Sequence, residues 1–305
     1  MANTFLTPDI IARAALANLY ETTVMASLVH RDYEPEFMAR VGSTITVRKP
    51  AVFQANEFSR PAGIQIQDAV EDSVDVTLNH FADVSFAVTS EQLTLDIQDF
   101  SEQLLNPAME AIAQKIDRDI LALRADVVAE VGVEAAGPPA QAAWNDPRVL
   151  VDAGRVLTQA NVPLTERRAV SGPITAAEWM KDPLFHEADK RGDTDGLLDA
   201  AIGRKFGFDT YQTQNIEVPP QTSGNSTTEV GVAFHRTAFA LVMRPLELPR
   251  GAQNAAIANY KGFGLRVVYD YDIKLKQDVV SIDCLYGTKT LDPNRAVLIK
   301  GADVA

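Results

Sequence analysis

The sequence predicts an α+β fold, with one long helix laid on antiparallel strands and a second, mixed lobe inserted between them. Three patterns predict it. Apolar and polar residues alternate between positions 44 and 88, apolar residues recur every fourth position from 108 to 120, and strand-length apolar runs crowd the last quarter of the chain. With 305 residues, 46% of them hydrophobic, the chain is long enough to bury a substantial core.

Thr7-Pro8-Asp9 is a helix start: a hydroxyl cap, a proline whose missing N–H is no loss at the first position, and an acid near the positive end. The helix is expected to reach about Leu28. Its Ile10, Ile11, Ala14, Ala15, Leu19 and Met25 fall largely at helical spacing, a stripe that seeks the chain's own core or another copy. Next, Ile45 and Val47 alternate with Thr44, Thr46 and Arg48, and Val74, Val76 and Leu78 with Asp75, Thr77 and Asn79. These read as two half-exposed strands. The polar stretch between them, residues 50–72, is too long for an ordinary connection, so the whole predicts a projecting hairpin. An isolated hairpin is marginal in water and is expected to lie on a partner.

Val84, Phe86 and Val88 predict a further short strand. Asn106 with Pro107 caps the long helix, expected over residues 106–127, where Ala108, Ile112, Ile116 and Ile120 form the buried stripe. That length spans about 30 Å, enough to support a sheet. Residues 133–146, rich in Ala, Pro and Gly, mark a connection. Beyond it come a helix over 147–160, a strand over 168–171, a capping box at Thr175 and Glu178 that opens another helix, and a short helix over 196–201. Within residues 203–216 glycines bracket a strand of alternating aromatics, and a strand follows over 230–235. The end of the chain predicts strands at 239–243, 265–275, 279–286 and 296–299.

Composition excludes several classes of function. The net charge of −13, from 28 Lys and Arg against 41 Asp and Glu, opposes tight binding of nucleic acid, which needs clustered basic side chains. Cys284 stands alone, so no disulfide framework or thiolate cluster forms within one chain, and a reducing cytoplasm suits its folding. No apolar run is long enough for a membrane span, and the N-terminal stretch lacks the layout of a signal peptide. Signatures of catalysis are missing: there is no nucleophile elbow, no phosphate-cradling loop and no His-Glu-x-x-His. Asp193-Thr-Asp195-Gly196 starts like a calcium loop but places Arg204 where a bidentate Glu is needed. His30, His80, His186 and His235 are scattered, and Asp270, Asp272 and Asp278 alternate with Lys274 and Lys276 as the wet face of strands would. Catalytic residues: none are expected; nor is a metal ligand or a cofactor.

Three stretches carry a resemblance: FSEQLLNPAMEAIAQKIDRDIL at the long helix, LLDAAIGRKFGFDTYQTQNI, and the closing run from Val232-Ala-Phe-His235 through Asp270-Tyr-Asp272 to CLYGTKTLDPNRAVLI. The middle one is the most specific, with Ile202-Gly203, Gly207-Phe208 and Asn215-Ile216 in the family's order. From end to end the chain resembles the major capsid proteins of tailed bacteriophages, of the HK-ninety-seven-like fold, whose architecture also builds encapsulin shells. It is most similar to the branch named after a Salmonella phage coat protein, without that branch's inserted domain.

The resemblance implies an N-terminal arm over residues 1–42 and an extended loop over 43–87. It implies a peripheral domain with a spine helix over 88–130 and 246–287, and an axial domain over 131–245 and 288–305. Copies would form hexamers and pentamers in an icosahedral capsid enclosing double-stranded DNA without reading its sequence. A separate scaffolding protein, a portal and a decoration protein are the implied partners, with assembly in the host cytoplasm and no membrane. Ile10, Ile11, Leu19, Phe53, Phe58, Ile64 and Ile66 are the expected inter-subunit contacts. A Lys–Asn link between subunits would have to use Lys49, the only lysine in the loop segment, which sits at its base and argues against the link. An encapsulin enclosing cargo is the alternative; a soluble acidic enzyme or binding protein is the reading from another class.

Overall fold

The computed structural model describes residues 24–33, 42–49, 53, 55–58, 60, 61, 63, 64, 66–69, 71–90, 104, 106–137, 139–183, 203–216, 229–249, 254–260 and 263–301. The chain enters on a short helix, α1 (Met25–Leu28), pairs β1 (Thr44–Lys49) with β2 (Asp72–Thr77), and continues into β3 (His80–Thr89) and the long helix α2 (Asn106–Ala122). A second group follows: β4 (Glu130–Val131), α3 (Val149–Gln159), β5 (Arg167–Ser171), α4 (Pro173–Met180), β6 (Arg204–Lys205), β7 (Phe208–Gln212) and β8 (Gly231–His235). Strands then dominate, with β9 (Phe239–Arg244), β10 (Asn254–Tyr260), β11 (Phe263–Asp272), β12 (Gln277–Thr290) and β13 (Ala296–Ile299).

β12 is the hub of the first sheet, whose order is β10-β11-β12-β3, with β9 pairing the end of β12. All of its pairings are antiparallel. Period-two alternation separates the hub strand into two faces. Val280, Ile282, Cys284 and Tyr286 enter one core cluster with Ile112, Ile116 and Ile120 of α2. Leu285 on the opposite face packs into another. Each buried aliphatic side chain there stabilises the fold by about 1.5–3 kcal/mol. The helix shifts to a 3-10 turn at Leu123–Asp126, short of the expected 127, where Asp126 accepts a 2.6 Å hydrogen bond from Thr290 Oγ1 on β12.

The second sheet has the order β4-β13-β8-β5-β7-β6 and is mixed, with β13 parallel to β4 and β5 parallel to β7. Leu150, Ala153 and Leu157 of α3 pack with Trp179 of α4 and Phe208 of β7 in its core. Buried Arg167 donates to Val162 O at 2.7 Å, Pro163 O at 2.8 Å, Gly154 O at 3.1 Å and Thr158 Oγ1 at 3.1 Å, tying the carboxyl end of α3 to β5.

Four readings of the sequence are corrected. The capping box is not used: α4 begins at Pro173, Thr175 is buried inside its first turn, and the caps come from a distant carboxylate. Ile174 N and Thr175 N donate to Glu229 Oε1 and Oε2, both at 3.0 Å, while Glu178 pairs with Lys181 at 2.5 Å. The expected single strand in 203–216 is a hairpin, β6 with β7. The strand expected over 265–275 ends at Asp272, and residues 273–276 form the turn to β12. β10, which the sequence did not predict, pairs with β11 along its whole length. The calcium-like stretch, the helix over 196–201, and most of the N-terminal helix lie outside the described residues.

Removing the remote cap tests this account of α4. Glu229→Ala is expected to destabilise the chain by about 1–2 kcal/mol in urea unfolding, since two amides at a buried helix start lose their acceptor; Glu229→Gln should recover part of it.

Candidate inter-subunit surface

The hairpin stem is set by the alternation read from the sequence, with Thr44 opposite Thr77 and Lys49 opposite Asp72. Polar side chains clamp it: Thr46 Oγ1 donates to Asp75 Oδ1 at 2.7 Å, and Lys49 Nζ lies 3.8 Å from Asp72 Oδ2. The expectation of an unsupported hairpin holds only beyond the stem. Ile45, Val76 and Leu78 are buried in one cluster with Ala240 and Val242 of β9 and Leu291, so the base rests on its own chain. There the stem crosses the hub strand at its tightest approach. A Cβ at Gly287 would sit 2.1 Å from Thr77 O, a distance no side chain tolerates.

Beyond the stem the described loop residues are exposed. Phe53, Phe58, Ile64 and Ile66 are 60%, 65%, 78% and 87% exposed, so all four expected loop contacts stand free in a single copy. Burying such a group on a partner is worth about 1.5–3 kcal/mol per side chain. Ile10, Ile11 and Leu19 lie outside the described residues.

The described end of the arm folds back on its own chain. Met25, Ala26, Leu28 and Val29 are buried in the cluster that contains α2, and His30 exchanges backbone hydrogen bonds of 3.0 Å with Phe239 and Leu241 of β9. Beneath it lies Asp117 of α2, 1% exposed. Asp117 Oδ1 accepts from Met25 N and Oδ2 from Asn215 Nδ2, each at 3.3 Å, so one carboxyl joins the arm, the long helix and the turn after β7. Burial raises its pKa from 3.8 to about 6, against the pull of those hydrogen bonds.

Sequence reading missed a second exposed group, Ile273 and Leu275 at the β11–β12 turn. Their alternation with Lys274 and Lys276 continues the pattern of β11, so nothing in the spacing marks the strand's end. The nearby acids serve the structure. Asp272 Oδ1 accepts from Lys274 N at 2.8 Å and Asp270 Oδ1 from Tyr271 N at 2.9 Å. Buried Asp278 reinforces burial in holding the Tyr269 phenol protonated. His30 pairs with Asp32 at 3.2 Å, His80 with Asp119 at 3.6 Å, and His235 Nδ1 with Thr237 Oγ1 at 2.9 Å, each apart from the others' partners. Among the described residues no three His, Cys, Asp or Glu side chains gather as a metal-holding group, and no helix is long and apolar enough to cross a membrane. Cys284 is buried, and its thiol is pushed up to about 12, mainly by that burial.

No protein-family model matches the sequence, and no curated protein does. Solved structures do. A chain from Mycobacterium phage Che8 superposes with a TM-score of 0.68 over 92% of this chain and 91% of its own, at 21% identity. The capsid structure of cyanophage P-SCSP1u gives 0.60 over 86% and 84%, at 11% identity. The chain has a phage capsid fold. A virus-like particle from Pyrococcus furiosus shares this capsid fold, at a TM-score of 0.53 over 95% of this chain and 97% of its own, with 14% identity. The α+β class read from the sequence and this fold agree.

Two outcomes check the geometry. Gly287→Ala should cost about 1–3 kcal/mol in urea unfolding, because the stem must move off β12, and should speed hydrogen exchange at Leu78 N, which now donates to Ser43 O at 2.8 Å. Asp117 titrates higher in the folded chain than in the unfolded one, so its proton favours folding: this contribution is complete below pH 3.8 and is lost as pH rises through about 6. Asp117→Asn removes that titration. The stability of the variant relative to the parent should therefore rise between pH 4 and 7, by up to about 3 kcal/mol, with the unfolding midpoints of both measured side by side.

Proposed function

We propose that the chain is the major capsid protein of a tailed bacteriophage, assembling as hexamers and pentamers into an icosahedral shell around double-stranded DNA. The observation that carries this reading is the loop: Phe53, Phe58, Ile64 and Ile66 stand uncovered on a stem that the chain's own core holds in place. A monomer gains nothing from such a device. A shell gains a contact at every copy, and many modest interfaces, each near the low end of about 1,200–2,000 Å², sum to a stable container.

On this reading residues 1–42 are the N-terminal arm, 43–87 the extended loop, 88–130 and 246–287 the peripheral domain with α2 as spine, and 131–245 and 288–305 the axial domain. The arm's Ile10, Ile11 and Leu19 and the loop's apolar residues latch neighbouring copies. The Salmonella-phage type of coat protein, less its inserted domain, is the branch the sequence fits. A separate scaffolding protein, a portal and a decoration protein complete the particle, which is assembled in the host cytoplasm. The charge of −13 suits a wall that contains DNA without gripping it. Chemistry has no part in this role.

An encapsulin-type cargo shell is the second reading, supported by the likeness to the Pyrococcus furiosus virus-like particle. Particle diameter and nucleic-acid content separate the two.

Purified chain, concentrated and imaged by negative-stain electron microscopy, should yield particles, closed or irregular when no scaffolding protein is added. Phe58→Asp and Ile66→Asp should change subunit stability by less than about 0.5 kcal/mol, as exposed positions do, yet abolish the particles. A chain that stays monomeric at high concentration, with its loop folded back, would sink the reading.

A further inference from the structure

α1 is a single helical turn, too short to persist by itself, so it exists only while other elements hold it. Its buried Met25, Ala26, Leu28 and Val29 share one cluster with Ile116 of α2, Val170 of β5 and Phe234 of β8, and therefore touch both halves of the chain. Polar contacts pin the segment at three points. At the amino end of α1 the Asp117 carboxyl accepts from Met25 N, and at its carboxyl end the Arg168 guanidinium of β5 donates to Ser27 O at 3.4 Å and to Leu28 O. Beyond it His30 bridges to Ala240 of β9, and Asp32 pairs with Arg236 at 3.1 Å.

Two of these contacts involve groups that ionise, and the closed segment suits the neutral form of each. Asp117 is buried and faces the Val24 and Met25 amides from α1 and Asn215 from the turn after β7, none of them charged. On α2 itself Asp119 is taken by Lys115 at 3.1 Å, and Arg118 is exposed. His30 Nε2 lies 3.2 Å from Asp32 Oδ2, while its Nδ1 is buried with no hydrogen-bond partner. An imidazolium carries an N–H on both nitrogens, so charging His30 here would bury a donor without an acceptor. The other groups facing it are the Tyr33 ring at 4.7 Å, Glu166 ahead of β5, and Arg236 between β8 and β9, which pairs with both Asp32 and Glu166. Burial lowers the pKa of His30 against the opposing pull of Asp32.

We propose that residues 24–32 form a strap that opens as a unit, without unfolding either sheet, and that opening charges both Asp117 and His30: the carboxyl gives a proton to water and the imidazole takes one up. The inference concerns the single chain and stands apart from the shell reading. Its two linkages have opposite signs. Asp117 favours the closed strap fully below pH 3.8 and loses that contribution as pH rises through about 6. His30 favours the closed strap fully above pH 6.5 and loses that contribution as pH falls through its lowered pKa. In mildly acidic solution the two offset each other, so each group masks the pH dependence of the other.

Hydrogen exchange of the full chain, read by mass spectrometry and corrected for the intrinsic effect of pH, tests this. Peptides covering 24–33 and 239–244 report the strap, through the 3.0 Å bonds of His30 N to Phe239 O and Leu241 N to His30 O; a peptide covering 280–286 reports the sheet. In the parent the strap should exchange faster than 280–286 at every pH. His30→Gln should open the strap at least about tenfold more at pH 7 than at pH 4, a steeper rise than the parent's, and Asp117→Asn should reverse the slope. Arg168→Gln should raise opening by a similar factor at every pH and leave the slope as it is. A strap that exchanges no faster than 280–286 would overturn the separate opening, and parallel slopes in the two single variants would overturn the charging. NMR titration of His30 in the parent needs no substitution: a midpoint below 6.5 supports the inference, and one at or above 6.5 refutes it even where a variant fails to fold.

Discussion

The hairpin that projects from the first sheet is aimed by one close crossing, that of Thr77 over Gly287. β12 has two faces to satisfy. Its even-numbered residues from Val280 to Tyr286 receive α2, and its opposite face, with Leu285, receives the hairpin stem. β9 alternates in step: Phe239, Leu241 and Met243 join the helix side, Ala240 and Val242 the stem side. The absence of a side chain at one position of the hub strand lets the stem's backbone settle onto the sheet. The loop therefore leaves the body from a rigid base, and its direction is a property of the core.

Local patterns were legible and distant ones were not. Ile45 with Val47, and Val74 with Val76, announced the stem because period two survives wherever one face is buried. Ile112, Ile116 and Ile120 announced α2 for the corresponding reason at period four. β10 escaped because its Asn and Ala residues have little strand preference of their own; pairing with β11 and the burial of Ala256 make it a strand. The cap at Thr175 was misread because Glu229 lies 54 residues away and satisfies the same amides from outside the helix. The exposure of Phe53, Phe58, Ile64 and Ile66 was legible since an apolar residue in a polar loop has no local place to hide. That of Ile273 and Leu275 was not, since alternation alone does not tell a strand from a turn that continues its rhythm.

Three buried polar side chains pin segments that apolar packing alone would leave free to slide. Arg167 fixes the end of α3 to β5, Glu229 fixes the start of α4, and Asp117 fixes the arm and the turn after β7 to the long helix. Apolar contacts are non-directional and accept small shifts, whereas a buried carboxyl without its donors is costly. The burial of Asp117 is imperfectly compensated, with two hydrogen bonds at the long end of the range, and its pKa rises accordingly. The junction of arm, helix and second lobe is thus most stable with the Asp117 carboxyl protonated.

On the shell reading, charge and apolar surface act against each other during assembly. Thirteen net negative charges per copy repel neighbours, and at physiological salt this repulsion is screened beyond about 8 Å. It therefore keeps free subunits apart in the unassembled pool but acts only weakly between patches already in contact. Contact, once made, is decided by short-range burial of side chains such as Phe58 and Ile66, whose attraction salt does not screen. A subunit built this way stays soluble with its adhesive loop uncovered and commits only where a partner offers an apolar seat of the right shape, so that misplaced copies dissociate before the shell closes around them.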